Sequence, residues 1–235
     1  MPVILSYDGS SPVRLFGSTF SNHVDVNKWK KDILECAKPE IYFEVPLVSQ
    51  DKHDDIACFI DWLARRFKAS VIINDYGMLY YCQKYFTSGA GKPEIIAGRL
   101  IGYQYNSIPW VSVILNGETE YIKTEFNKNY FHSERKISFL KKLNVSGIYT
   151  NIADNPTALA SLKYIQSCGL KIYININNNI AAVNRNMLEK DIENTVWQIE
   201  CDTVAQSLQA VKIDDGKILL ERTLAQTDWA DILIY

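Results

Sequence analysis

The feature that most constrains this chain is a unit that recurs from residue 40 onward: a short apolar run, an abrupt polar corner, and an amphipathic stretch with helical spacing. EIYFEVP (40–46) is rich in β-branched and aromatic residues. It is followed by His53 to Lys68, where Ile56, Phe59, Ile60, Leu63 and Phe67 recur three and four apart and so share one helical face. SVIIN (70–74) runs into DYGMLYYCQKYF, a compact helix, and EIIAG (94–98) follows the glycine-rich break SGAGKP. SGIYTNI (146–152) leads to NPTALASLKYIQSCGL, in which Asn155 suits the N-cap, Pro156 the first helical position and Gly169 the stop. LKIYININ (170–177) is a further strand. Strands alternating with helices in this way build a parallel sheet, because the crossover between parallel strands carries the helix.

Two segments break the rhythm. WVSVILNGETEYIKTEF (110–126) alternates around Asn116-Gly117, a strong hairpin signal, and LQAVKIDDGKILLERTL (208–224) alternates around an Asp-Gly turn. The expectation is an α/β fold, a TIM-barrel-like (β/α) barrel with antiparallel hairpin additions, forming a single domain over residues 1–235. A chain of 235 residues buries one substantial core.

Composition excludes several function classes. The formal charge of -2 gives no electrostatic footprint for nucleic acid or an anionic membrane, since those partners are met by clustered Lys and Arg. The basic clusters Arg65-Arg66-Phe67-Lys68 and Lys141-Lys142 fall at the ends of expected helices, where they complement the dipole. No apolar run reaches the ~18 residues that span a bilayer, and MPVILSYDGS lacks the n- and h-regions of a signal peptide, so a cytoplasmic protein is expected. The five cysteines, Cys36, Cys58, Cys82, Cys168 and Cys201, form no C-x-x-C and match no histidine pair. They read as reduced and mostly buried small hydrophobes.

In barrels of parallel strands, chemistry collects where the strands end at their carboxyl side. Those ends carry Glu44, Asn74, Asp75, Arg99, Asn151, Asn175 and Asn177, a rim rich in hydrogen-bonding groups with a fixed cation. Asn and Asp also serve as caps at such positions, so Asn74, Asp75 and Asn151 have two readings, cap or ligand contact. Arg99, just after a strand and before LIGYQYN, requires an anion or water. G-x-S-x-G, G-x-x-x-x-G-K-[ST], G-x-G-x-x-G and H-E-x-x-H are all absent. His23, His53 and His132 lie far apart, and His53-Asp54-Asp55 reads as an acidic helix start.

INDYGMLYYCQKY followed by PEIIAGRLIGYQYN resembles the collagenase-like peptidase family U32, in which a strand ends in Asn-Asp or a similar pair before a Gly and the next strand leads into Ala-Gly. The similarity continues through ISFLKKLNVSGIYTNI and GLKIYININNNIAAVNRNM, and so covers residues 40 to 190. It implies a TIM-barrel-like fold with a site on the rim described above. The family includes proteins named as peptidases and others that act in oxygen-independent hydroxylation, among them paired subunits of ubiquinone synthesis holding iron–sulfur clusters. Where the family has a cysteine-bearing segment after the strand KIYININ, this chain has NNNIAAVNRNMLEK, with Asn186 directly after Arg185 and no cysteine from 169 to 200. Four clustered thiolates are what an iron–sulfur centre needs. No such cluster, no metal and no other cofactor is therefore expected.

Two functions remain open at this level. In one, the barrel binds a peptide or small anionic metabolite at the rim without chemistry of its own, as a subunit that depends on a protein partner. In the other, it is a self-sufficient enzyme in which Arg99 and Arg185 orient a carboxylate while Asp75 or Glu44 acts as general acid or base. The 14 tyrosines and 5 tryptophans suit a partner interface. QTDWADILIY ends on an apolar run that must be buried against its own barrel or a neighbour.

Overall fold

The computed structural model describes residues 3–6, 13–17, 24–36, 40–86, 92–102, 115–151, 156–175, 179–183, 211–214, 217–220 and 231–234. In chain order the elements are β1 (Val3–Ser6), β2 (Val13–Gly17), α1 (Val26–Cys36), β3 (Glu40–Val45), α2 (His53–Arg66), β4 (Lys68–Ile73), α3 (Tyr76–Tyr85) and β5 (Glu94–Ala97). There follow α4 (Glu120–Asn127), α5 (Glu134–Lys142), β6 (Val145–Asn151), α6 (Pro156–Ser167), β7 (Lys171–Asn175), β8 (Asn179–Val183), β9 (Val211–Asp214), β10 (Lys217–Leu220) and β11 (Ile232–Ile234). The α/β class expected from the strand–helix rhythm is the one observed.

Strands β2 to β7 lie side by side in chain order as one curled, all-parallel sheet. β1 pairs in parallel with β2 and β11, and β11 with β7, so the sheet closes on itself. The apolar QTDWADILIY segment thus supplies β11 to its own sheet rather than to a neighbour. Asp231 anchors it, accepting from the Ile172 amide at 2.8 Å and from Gln166 Nε2 at 3.0 Å. Separately, β10 pairs antiparallel with β8 and with β9, and β9 and β10 flank the Asp215-Gly216 positions.

Alternation along each strand sorts residues between two apolar layers. Phe43, Val45, Val71, Ile73, Ile148 and Ile172 face the helices and join Phe59, Leu63, Met78, Leu140 and Leu162 in the larger core. Leu15, Tyr42, Ile72, Ile96, Tyr149 and Tyr173 form a second, smaller cluster on the opposite strand face. Each large side chain removed from water in this way contributes about 1.5–3 kcal/mol. Helix boundaries follow local chemistry: α6 opens at Pro156, and Gly169, at φ +87°, ends it. Among the described residues no helix is long and apolar enough to cross a membrane.

Three expectations require correction. The second arm of the 110–126 hairpin is a helix: Thr119 Oγ1 accepts from the Ile122 amide at 3.4 Å as an N-cap, Lys123 bonds Glu120 at 2.8 Å, and the half-buried Ile122 and Phe126 stand four apart on one face. A turn does form at Asn116-Gly117, with Gly117 at φ +82° and the Glu118 amide bonded to the Leu115 carbonyl, while residues 103–114 lie outside the described residues. α2 ends at Arg66, not Lys68, because Phe67 turns extended and Lys68 starts β4, where it pairs with Glu40 at 3.1 Å. The cysteines are free but not mostly buried: Cys82 is buried, Cys36 and Cys168 are half-buried, and Cys58 is exposed on the solvent face of α2. Cys201 and the proposed cap Asn155 lie outside the described residues.

Candidate functional site

The carboxyl ends of β3, β4 and β5 meet through side chains. Tyr42 and Glu44 share one face of β3, and alternation carries Glu44 to the last inward-facing position of that strand, fully buried. On β4 the same face runs Ser70, Ile72, Asn74, so Asn74 emerges beside Glu44. Asn74 Nδ2 donates to Glu44 Oε1 at 3.1 Å and to the Val45 carbonyl at 3.2 Å, and its Oδ1 accepts from the Leu100 amide at 3.4 Å. One carboxamide therefore ties β3, β4 and the turn after β5.

Glycines make the approach possible. A Cβ at Gly98 would stand 2.1 Å from Asn74 Oδ1, and a Cβ at Gly17 would stand 2.0 Å from the Glu44 carbonyl oxygen. Gly17 also holds φ +86°, a region that side-chain-bearing residues rarely adopt. Beyond Gly98, the amides of Ile101 and Gly102 both bond to the Gly98 carbonyl at 3.1 Å, forming the tight turn that carries Arg99. The half-buried Arg99 lays its guanidinium over the ring of Tyr149 on β6, 4.9 Å from the centroid. Such a contact holds the planar cation in place.

Asn129 supports this turn from behind. Buried, its side chain donates to Thr150 Oγ1 at 3.3 Å and accepts from the Phe131 amide at 2.9 Å, and its backbone amide donates to Ser161 Oγ at 2.9 Å. Phe131 in turn fills the space against Gly102, where a Cβ would come within 2.8 Å of the ring.

Asp75 faces away from this group. It caps α3, its Oδ1 accepting from the Met78 amide at 2.8 Å, while Oδ2 is shielded from solvent with no hydrogen-bond partner among the described residues. Asp75 Oδ1 and His53 Cε1 both lie within 3.4 Å of where a Gly77 Cβ would be, so the imidazole and the carboxylate flank one notch. His53 also rests edge-on against Tyr81, whose hydroxyl bonds Asp54 and whose pKa that bond pushes up to about 12.

The structure thus brings Glu44, Asn74 and Arg99 to one end of the sheet and gives Asp75 a capping position at its edge. Asn151 and Asn175 are partners in register at the ends of β6 and β7, two residues beyond Tyr149 and Tyr173. Asn177 and Arg185 lie outside the described residues. The sequence reading missed Tyr149, Gly17 and Asn129, and had Gly98 only as the end of a strand. Of these only Tyr149 had a local signal, the period of two that places it on the same strand face as Asn151. Among the described residues no three His, Cys, Asp or Glu side chains are placed to hold a metal ion. No protein-family model matches the chain, and no curated protein matches it.

Proposed function

We propose that this chain is a divergent U32-like, TIM-barrel-like domain over residues 1–235, with antiparallel additions, that binds a peptide or small anionic metabolite at the strand carboxyl-end rim. It acts in the cytoplasm as a non-catalytic or partner-dependent subunit. The observation that carries this reading is Arg99 seated on Tyr149 beside the Glu44–Asn74 pair. A guanidinium held on an aromatic face is fixed in one orientation, as planar recognition of a carboxylate requires, and the Asn74 carboxamide fixes the turn that carries it. The engagement of both ends of the Asn74 carboxamide within the protein favours a positioning role over a chemical one. The lack of cysteine from 169 to 200 favours a subunit without the family's cluster chemistry.

Calorimetric titration with small mono- and dicarboxylates and with di- and tripeptides tests this. Arg99→Ala should weaken binding of whichever probe binds by about 1.5–3 kcal/mol, the worth of a charged hydrogen bond, and Arg99→Lys should restore only part. Equal affinity in wild type and both variants, or no binding by any probe, overturns the proposal.

A second reading, a self-sufficient enzyme, draws on the Asp75 notch. Asp75 Oδ2 is shielded without a hydrogen-bond partner among the described residues, while Oδ1 of the same carboxylate and the His53 ring flank the Gly77 notch, and a carboxylate near an imidazole can move protons. Under that reading Asp75→Asn abolishes turnover by the chain alone, whereas Arg99 variants change KM first.

A further inference from the structure

α3 and α5 expose aromatic side chains on their outer faces. Tyr76 is 41% exposed, Tyr80 60% and Phe139 46%. Tyr76 and Phe139 stand 6.1 Å apart between ring centroids, so the two helices contribute to one continuous patch. Tyr80 follows Tyr76 by one turn and Lys84 follows Tyr80 by another, which puts all three on one side of α3. On α5, Arg135 precedes Phe139 by four and Lys142 follows it by three, so both are its surface neighbours. Glu134, five residues before Phe139, falls on the other flank of the helix. The outward face of an isolated surface helix is ordinarily polar, and aromatic residues with Arg are what interface centres concentrate.

We infer that Tyr76, Tyr80 and Phe139, bordered by Lys84, Arg135 and Lys142, form a docking face for an acidic amphipathic segment of a protein partner. The border is basic while the whole chain carries a formal charge of -2. A polyanion such as nucleic acid or an anionic bilayer would meet that net charge over its length. A short segment with carboxylates set between apolar side chains needs only the local match. The inference uses the outer faces of two helices and does not depend on the rim reading.

Fluorescence anisotropy with the full chain tests it, using a labelled amphipathic peptide of Glu and Leu, its Lys-for-Glu counterpart, an oligouridylate, and phosphatidylserine vesicles. The acidic peptide should bind, and more weakly as salt rises. A Tyr80→Ser, Phe139→Ser double variant and an Arg135→Glu, Lys142→Glu double variant should each lose about tenfold in affinity at unchanged Tm, since every substituted side chain is exposed. No binding of the acidic peptide, equal binding of the basic one, preference for oligouridylate or vesicles, or unaltered affinity in both variants would each overturn the assignment. Self-association of the chain that the Tyr80→Ser, Phe139→Ser variant abolishes would assign the face to a second copy and would also overturn it.

Discussion

Asn74 donates through Nδ2 to Oε1 of the fully buried Glu44 at 3.1 Å, joining the ends of two neighbouring strands. The same carboxamide serves the Val45 carbonyl and the Leu100 amide, so its removal takes a partner from three groups at once. Asn74→Ala should destabilise the protein by about 2–5 kcal/mol, measured by urea unfolding, because buried polar groups that lose partners keep their desolvation cost. Asn74→Asp should behave differently with pH. A second carboxylate facing Glu44 is disfavoured in its charged form, which raises the folded-state pKa of the introduced Asp above its unfolded value. The variant therefore recovers stability as pH falls and loses it as pH rises through that raised value. A deficit against wild type that stays constant with pH would show that the two side chains do not face each other.

Gly17 and Gly117 allow backbone strain to be separated from close approach. Both hold positive φ, +86° and +82°, but a Cβ at Gly17 would lie 2.0 Å from a backbone oxygen, whereas one at Gly117 would meet nothing within 4 Å. Gly117→Ala should cost about 1 kcal/mol, the price of the left-handed backbone alone. Gly17→Ala should cost more than twice as much, since β2 and β3 must part to admit the methyl group. Matching losses in thermal unfolding would mean that the close packing of Gly17 on Glu44 is absent.

What the sequence made legible was periodicity. In EIYFEV the period of two assigns Tyr42 and Glu44 to one face and Phe43 and Val45 to the other, and the structure shows that division. Caps were legible for the same reason, because Asp75 acts within three residues of itself. The 120–127 helix was not, because it follows a hairpin-like Asn-Gly and shows a single helical repeat, the four-residue spacing of Ile122 and Phe126. The Thr119 cap and packing of α4 on α6 decide it. The partner of Arg99 was not legible either. Tyr149 reaches it from β6, which pairs with β5 but lies distant in sequence, and no local spacing encodes that pairing. Gly17 and Gly98 show a similar limit, since what they permit is set by the neighbouring strand.

Glu94 gives the amino end of the sheet a measurable pH dependence. Burial alone would raise its pKa, but Lys171 at 2.7 Å and Ser70 at 2.9 Å, with Ser146 nearby, together hold it below the ordinary 4.5. A carboxylate with a depressed folded pKa contributes stability that is present above the unfolded value and is lost as pH falls through the folded one. Part of the wild-type Tm decline below pH 4.5 should therefore belong to this residue, and Glu94→Gln should flatten the curve there while lowering Tm near neutrality. Lys171→Met should have the same sign and a smaller size, because the Lys171 side chain is 53% exposed and solvent screens it. Parallel Tm curves for wild type and Glu94→Gln across the acid range would remove Glu94 from the acid transition.

The cysteines provide a test of the fold that needs no ligand. Cys82 is buried in α3, and burial first, then the nearby Asp75 carboxylate, pushes its thiol up to about 12. The thiolate is the reactive form, so Cys82 is protected twice, by access and by protonation. Cys58 stands exposed on α2 and lacks the first protection. In the native protein near neutral pH, iodoacetamide followed by peptide mass mapping should label Cys58 first, Cys36 and Cys168 more slowly, and Cys82 only through the unfolded fraction. Adding urea below the unfolding midpoint should accelerate Cys82 in proportion to the unfolded fraction while leaving Cys58 nearly unchanged. Prompt native-state labelling of Cys82 would place α3 outside the core and would remove the packing that sets Asp75 at the carboxyl end of β4.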